Sequence, residues 1–213
     1  ILIKAISTII TVIRVVGGAK HAIAPRSVTQ SIKLALTDCD CHNNGTFFVL
    51  YISDPQKTKN LFMKKLLEIQ SSVRQENSIS RTLSNQFVQT WKTAHPDIQH
   101  IIRDVGIDPP AHPTELWTKA NYTAPEARTP EMIAALAHSE QLIAELLGAD
   151  YLLLGVPMYN FSIPSNLKAY LDNVVRVGRT FAFDKETLTF EGLATGKKAL
   201  AILPSASDYS PGT

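Results

Sequence analysis

This sequence predicts an α/β protein: a doubly wound parallel sheet with helices on both faces. Three observations carry that expectation. From Met63 onward, short apolar runs alternate with longer amphipathic ones, the order expected of strands and crossover helices. The run Tyr151-Leu152-Leu153-Leu154-Gly155-Val156 has almost no polar side chain, as a strand covered on both faces requires. The helix ahead of it is well punctuated. Thr129 can cap its start, Pro130 suits the first helical position, and Glu131 favours the positive end of the dipole.

The elements then follow in order. Residues 66–69 read as the first strand. The polar loop 70–77 leads into a helix whose Leu83, Phe87 and Trp91 recur every fourth position, one stripe facing the sheet. Residues 98–105 form a second strand, assigned to a sheet edge because Gln99, His100 and Arg103 interrupt it. The proline-rich stretch 106–128 has no periodicity and reads as a long functional loop. The helix begun at Thr129 buries Ile133, Leu136, Ile143 and Leu147, and Gly148 stops it. After strand 151–156, Ser162 or Ser165, around Pro164, opens a helix carrying Leu167, Tyr170, Leu171, Val174 and Val175. Residues 180–183 and 188–190 alternate about Asp184-Lys185-Glu186 as a small hairpin, and 199–203 is the fourth core strand.

Composition narrows the function. The 213 residues are 45% hydrophobic, enough for one domain with a full core. Cys39 and Cys41 are too few for a disulfide framework and fit a reducing cytoplasm. With His42 they lack the spacing of a zinc site. The net charge of +2 is unevenly placed. Residues 1–62 hold seven Lys/Arg against three Asp, whereas 63–213 hold fourteen Lys/Arg against sixteen Asp/Glu, so the larger part has no basic signature for nucleic acid. No apolar run reaches the roughly 18–20 residues that span a bilayer. Met63-Lys64-Lys65 ahead of the first strand marks where an α/β domain would begin. The expected division is therefore an N-terminal extension, 1–62, and a domain, 63–213. In the extension, Ile1–Val16 is β-branched and apolar but interrupted by Lys4 and Arg14, and Asn43-Asn44-Gly45 followed by 47–52 reads as a turn and a strand of unassigned partner.

Two loops carry the chemistry. In Ser71-Ser72-Val73-Arg74-Gln75-Glu76-Asn77-Ser78-Ile79-Ser80-Arg81, the carboxyl end of a strand meets a helix N-terminus, where unpaired N–H groups and serine hydroxyls suit a phosphate monoester. Arg74 or Arg81 can add charge. Without glycine this is neither a Walker loop nor a dinucleotide fingerprint, and Ser78 or Ser80 also reads simply as a helix cap. The second loop, Met158-Tyr159-Asn160-Phe161, follows the buried strand and suits a flat ligand, with Asn160 able to donate and accept. A ligand with phosphate at one end and a planar ring at the other would bridge the two, and flavin mononucleotide (FMN) has that shape.

Residues 63–213 resemble the bacterial FMN-dependent NADH:quinone oxidoreductases, also called NADH-azoreductases. The motifs are Ser71-Ser72 with Ser78-Ile79-Ser80, Pro157-Met158-Tyr159-Asn160-Phe161-Ser162-Ile163-Pro164, Leu167-Lys168-Ala169-Tyr170-Leu171-Asp172, the segment 178–183, and Gly192-Leu193-Ala194-Thr195-Gly196-Lys197-Lys198. The resemblance implies a flavodoxin-like fold, a homodimer, and two-electron transfer from NADH through FMN to quinones or azo compounds. It implies that Ser72, Ser78, Ile79 and Ser80 hold the phosphate and that Met158, Tyr159, Asn160 and Phe161 wrap the ring. A further loop, Ser205, Ala206, Ser207 and Asp208, would touch the flavin, and Phe181 and Phe183 would wall the substrate side. Relatives often carry a glycine pair where this chain has Ala206-Ser207-Asp208. Five strands are expected of such a sheet and four are counted after Met63. The fifth strand and last helices are therefore expected to be missing, the domain C-terminally truncated and one sheet edge bare. A flavodoxin-type electron carrier without turnover of its own is the alternative. Hydrolysis at Ser71 or Ser72 lacks a positioned base.

Overall fold

The computed structural model describes residues 9–16, 34–35, 49–50 and 63–206, the first three stretches by their backbone. Its centre is a five-stranded sheet in which every neighbouring pair is parallel. In chain order the sheet strands are β1 (Ile9–Val16), β4 (Lys65–Gln70), β5 (Gln99–Asp104), β6 (Tyr151–Gly155) and β9 (Lys198–Ser205), and their spatial order is β1-β9-β6-β4-β5. Two small antiparallel pairs stand apart: β2 (Leu34–Ala35) with β3 (Val49–Leu50), and β7 (Phe181–Asp184) with β8 (Thr189–Gly192). The first gives the expected strand near residue 49 its partner. The second is the expected hairpin, and β5 lies at the sheet edge as expected.

Helices cover both faces. On β4, alternate residues take opposite sides. Leu66 packs with Leu83, Phe87 and Val88 of α1 (Ile79–Ala94) and with Leu153, Leu200 and Ile202. Leu67 and Ile69 point the other way, onto Leu142, Ile143 and Leu146 of α3 (Pro130–Gly148) and Leu167, Tyr170 and Val174 of α4 (Ser165–Val174). Leu67 and Leu153 are fully buried, and each such side chain contributes about 2 kcal/mol. Residue composition thus decides the two-layer cover. The order of β4, β5 and β6 then opens a crevice, because the chain leaves β4 toward one edge and returns on its other side, at the carboxyl ends of β4 and β6.

Four expectations need correction. Four sheet strands follow Met63 as expected, but the edge expected to lie bare is filled: Ile9–Val16 pairs with Lys198–Ser205 over eight positions as a fifth strand. An open ladder edge is a template for another strand, and this β-branched run is well suited to it. The stretch 106–128 is also not all loop. It contains α2 (Glu115–Tyr122), capped by Thr114, whose hydroxyl accepts from Trp117 N at 3.2 Å, and a 3₁₀ turn at Pro125–Ala127. The buried stripe of α3 is Met132, Leu136, Ser139, Leu142, Ile143 and Leu146, with Ile133 exposed, because Met132 and Leu136 face Ala120 of α2. Nor does Gly148 end α3 by a left-handed cap. Ala149 is the C-cap residue, and the ammonium of Lys197 donates to the carbonyls of Leu147 and Ala149 at 2.7 and 2.6 Å. By contrast α4 begins at Ser165, one of the two serines expected to open it, with Pro164 at the cap position making no side-chain bond.

Candidate functional site

The first loop leaves β4 with both serines turned inward. Ser71 Oγ donates to Gly155 O at 2.8 Å, tying the loop to the end of β6, so Ser71 serves the scaffold. Ser72, Ser78 and Ser80 are buried together: Ser78 Oγ donates to Ser72 Oγ at 2.8 Å and lies 3.2 Å from Ser80 Oγ. Ser78 is also the N-cap of α1, accepting from Arg81 N at 3.4 Å. Ser78 thus caps the helix, as one of the two expected readings has it, while its hydroxyl stays within the cluster. Ile79 opens α1 with its side chain exposed, so what it offers is a backbone N–H at the positive end of the helix. Three clustered hydroxyls at a helix start, with no carboxylate among them, form a donor set that fits a phosphate.

The second loop is a tight reversal. Tyr159 and Ser162 exchange backbone hydrogen bonds at 2.9 and 3.0 Å, with Asn160 (φ 50°) and Phe161 (φ 63°) between them. Positive φ at both central residues is the signature of a type I′ turn, which asparagine accepts and phenylalanine resists. The turn leaves the Phe161 ring 79% exposed. An apolar cleft of about 270 Å³ lies at its foot, lined by Val156, Pro157, Met158, Phe161, Leu203 and Ser205 among others. Met158 N donates to Pro204 O at 3.3 Å, so β9 supports the loop from below.

The two loops meet. The Tyr159 hydroxyl lies 3.4 Å from Ser72 Oγ and accepts from Val73 N at 3.3 Å. The hydroxyl cluster and the aromatic turn therefore face one crevice, across the carboxyl ends of β4 and β6. Ser205 ends β9 on the cleft and Ala206 follows it, exposed; Ser207 and Asp208 lie outside the described residues. Cys39, Cys41 and His42 lie outside them too. Phe181 and Phe183 sit on the β7–β8 hairpin, packed on Phe190 at centroid distances of 5.9 and 4.7 Å, and do not line the apolar cleft.

Arg81, expected to add charge at the loop, is engaged within the protein, and other residues that shape the site were not singled out from the sequence. The Arg81 guanidinium is committed to Asp104, at 2.5 and 2.8 Å, and to the carbonyls of Ser72 and Arg74, at 2.6 and 2.9 Å. Asn166 Nδ2 donates to Ser71 O and Val105 O, both at 3.0 Å. Gly106 must be glycine, since a Cβ there would lie 2.1 Å from Ser72 O. Behind this loop a polar cavity of about 290 Å³ runs between α1 and β5, with Glu68 buried on its floor. Glu68 accepts from Gln70 Nε2 at 2.6 Å and lies 2.6 Å from His100 Nε2. A glycine after a strand and an asparagine early in a helix were the available signals, and neither names its partner.

Known proteins resemble this chain in sequence and fold. A family model for the flavodoxin-like fold matches residues 64–213. An FMN-dependent NADH:quinone oxidoreductase of Nostoc punctiforme is 45% identical over 148 residues, covering 70% of this chain and 71% of that protein. One from Azotobacter vinelandii is 44% identical over 152 residues, covering 70% and 73%. Among solved structures, an azoreductase from Bacillus anthracis superposes with a TM-score of 0.63 at 27% identity, over 70% of this chain and 73% of that one. The chain therefore belongs to the flavodoxin-like family of FMN-dependent NADH:quinone oxidoreductases.

Proposed function

We propose that this chain is an FMN-dependent NADH:quinone oxidoreductase with azoreductase activity. It would pass two electrons from NADH to a quinone or azo compound in two successive half-reactions. The observation that carries the reading is the Tyr159 hydroxyl within hydrogen-bond reach of both Ser72 and Val73, which makes one crevice of two loops. Ser72, Ser78 and Ser80 would hold the FMN phosphate through their hydroxyls, and Ile79 through its backbone N–H. Met158, Tyr159, Asn160 and Phe161 would enclose the ring, with Ser205, Ala206, Ser207 and Asp208 beside it. Asn160 can donate to and accept from a ring edge, and the apolar cleft keeps water from that side. FMN, when bound, supplies the hydride chemistry, so the chain needs no nucleophile or acid–base pair of its own.

Phe181 and Phe183 are assigned to the substrate side. They lie outside the cleft, and Phe161, Phe183 and Phe190 are exposed, which favours a homodimer that covers these rings. The reading divides the chain at Met63, next to the start of the family match, with 1–62 as an extension that lends β1 to the sheet. A cytoplasmic location follows from the sparse cysteines. Among the described residues no helix is long and apolar enough to cross a membrane.

The test is the absorption spectrum of the chain mixed with FMN. The flavin bands should bleach with NADH and return with a quinone, and NADH should be consumed catalytically. A carrier of the flavodoxin type would consume almost none without a partner reductase, and that outcome would overturn the assignment.

A further inference from the structure

We infer that Arg81 is a positioning residue for the anion end of the crevice: it fixes the peptide between Ser72 and Val73 so that an N–H, not a carbonyl, faces the ligand. The inference deepens the FMN reading and rests on it. In a trans peptide unit the C=O and the following N–H point in opposite directions. Arg81 Nη2 donates to Ser72 O at 2.6 Å, drawing that carbonyl toward α1. The N–H of the same unit, on Val73, consequently points the other way and meets the Tyr159 hydroxyl at 3.3 Å, inside the crevice. Arg81 Nε holds the Arg74 carbonyl in the same manner at 2.9 Å. One guanidinium thus orients two carbonyls of the loop, those of Ser72 and Arg74.

The fork is itself anchored. Asp104 receives Nη1 and Nη2 on its two oxygens, and its Oδ1 also accepts the N–H groups of Gly106 and Ile107 at 3.0 and 3.2 Å. Ser72 O is packed so closely against Gly106 that any side chain there would displace it. On the other flank Asn166 grips the preceding carbonyl, that of Ser71. Unclamped, the 72–73 peptide is free to rotate and present an oxygen to the incoming anion, and a carbonyl beside a phosphate repels it. Four of the five guanidinium N–H groups are accounted for by these bonds, so Arg81 acts through the loop rather than as a direct phosphate ligand.

The discriminating experiment compares FMN with riboflavin, which lacks the phosphate, by quenching of flavin fluorescence on the whole chain. Wild type should prefer FMN. Absence of that preference would overturn the FMN reading itself, and the role of Arg81 with it. Arg81→Lys keeps a charge but cannot hold two carbonyls and a carboxylate at once. Asp104→Asn leaves Arg81 in place but unanchored. Both should lose about tenfold or more in FMN affinity while riboflavin binding, which certifies a folded crevice, stays as in wild type. Full FMN affinity in Arg81→Lys would mean that charge alone matters and would sink the inference. An equal loss for both flavins would show a merely structural role and would also sink it. Should the lysine variant fail to fold, the isosteric Asp104→Asn decides: there, a phosphate-attracting Arg81 would keep or gain FMN affinity and a positioning Arg81 would lose it.

Discussion

Phe161 holds a backbone conformation that its side chain disfavours. A non-glycine residue with φ near 60° costs about 1 kcal/mol or more, and such strain gathers at binding loops. Phe161→Gly should therefore hold or raise the stability of the unliganded chain, by up to about 1 kcal/mol after the entropy of the glycine is counted. It should also weaken FMN binding, because the exposed ring is gone. Thermal melts with and without FMN check both halves, and a variant that loses stability without FMN refutes the strain argument. Tyr170 makes a different case. Burial, and then the nearby Glu145 carboxylate, push its phenol far above the ordinary range, and its hydroxyl has no hydrogen-bond partner among the described residues. A folded-state pKa above the unfolded value of about 10 gives stability that is whole below pH 10 and lost as pH rises beyond it. Tyr170→Phe should cost less than about 1 kcal/mol at pH 7 and should flatten the decline above pH 10, read by urea unfolding at pH 8 and 10.5. An equal alkaline decline in the variant would acquit Tyr170. At this scale the residues of the two loops were legible as candidates, because hydroxyl, amide and aromatic chemistry is local to each loop. The Arg81–Asp104 clamp was not, since its partners come together only when β5 pairs with β4.

Among the elements, α2 depends on a residue far along the chain. Arg176, 1% exposed, donates to Asn121 Oδ1 at 2.8 Å and Ser139 Oγ at 2.9 Å, pairs with Glu140 at 2.9 Å, and lies 5.6 Å from the centre of the Trp117 ring. Burial holds its pKa below the ordinary arginine value, with Glu140 opposing the fall, so the charge is costly unless every donor is engaged. Arg176→Met should destabilise by about 3 kcal/mol, toward the low side of a broken buried pair because Glu140 can regain water. The loss should be regional, with limited proteolysis opening 106–128 first. An unchanged cleavage pattern would show that α2 is held by other contacts. The same architecture explains why α2 was illegible. Eight residues with only Ala120 buried make no stripe, and the flanking Pro109, Pro110, Pro113 and Pro125 read as loop. For α3 the N-terminal end was read correctly from Thr129 and Pro130, while the stripe was read one residue off at Ile133. Which of two adjacent apolar residues faces inward depended on Ala120, from an element not foreseen.

The molecule as a whole is closed by a strand from the opposite end of the chain. Four strands were legible because each sits between its own crossover helix and a turn. The fifth was not, since nothing local to residues 9–16 specifies β9 as their partner. The register has a functional consequence: Val16 pairs with Ser205, so β1 braces β9 to the level at which Ser205 enters the apolar cleft. Replacing Ile9–Val16 with glycine and serine at equal length should act twice. The ladder to β9 is lost and its edge is bared, which should lower the melting temperature by several degrees and make the protein associate with concentration. Loosening of Ser205 should weaken FMN binding several-fold while leaving the preference for FMN over riboflavin intact, because the hydroxyl cluster lies on β4 and α1, at the far side of β6. Melting, size-exclusion chromatography over a concentration series, and titration with both flavins separate these effects. A variant that melts, elutes and binds as wild type would mean that β1 adds nothing to the sheet. Loss of the FMN preference would mean that the two ends of the crevice are coupled through β9 rather than held by separate strands.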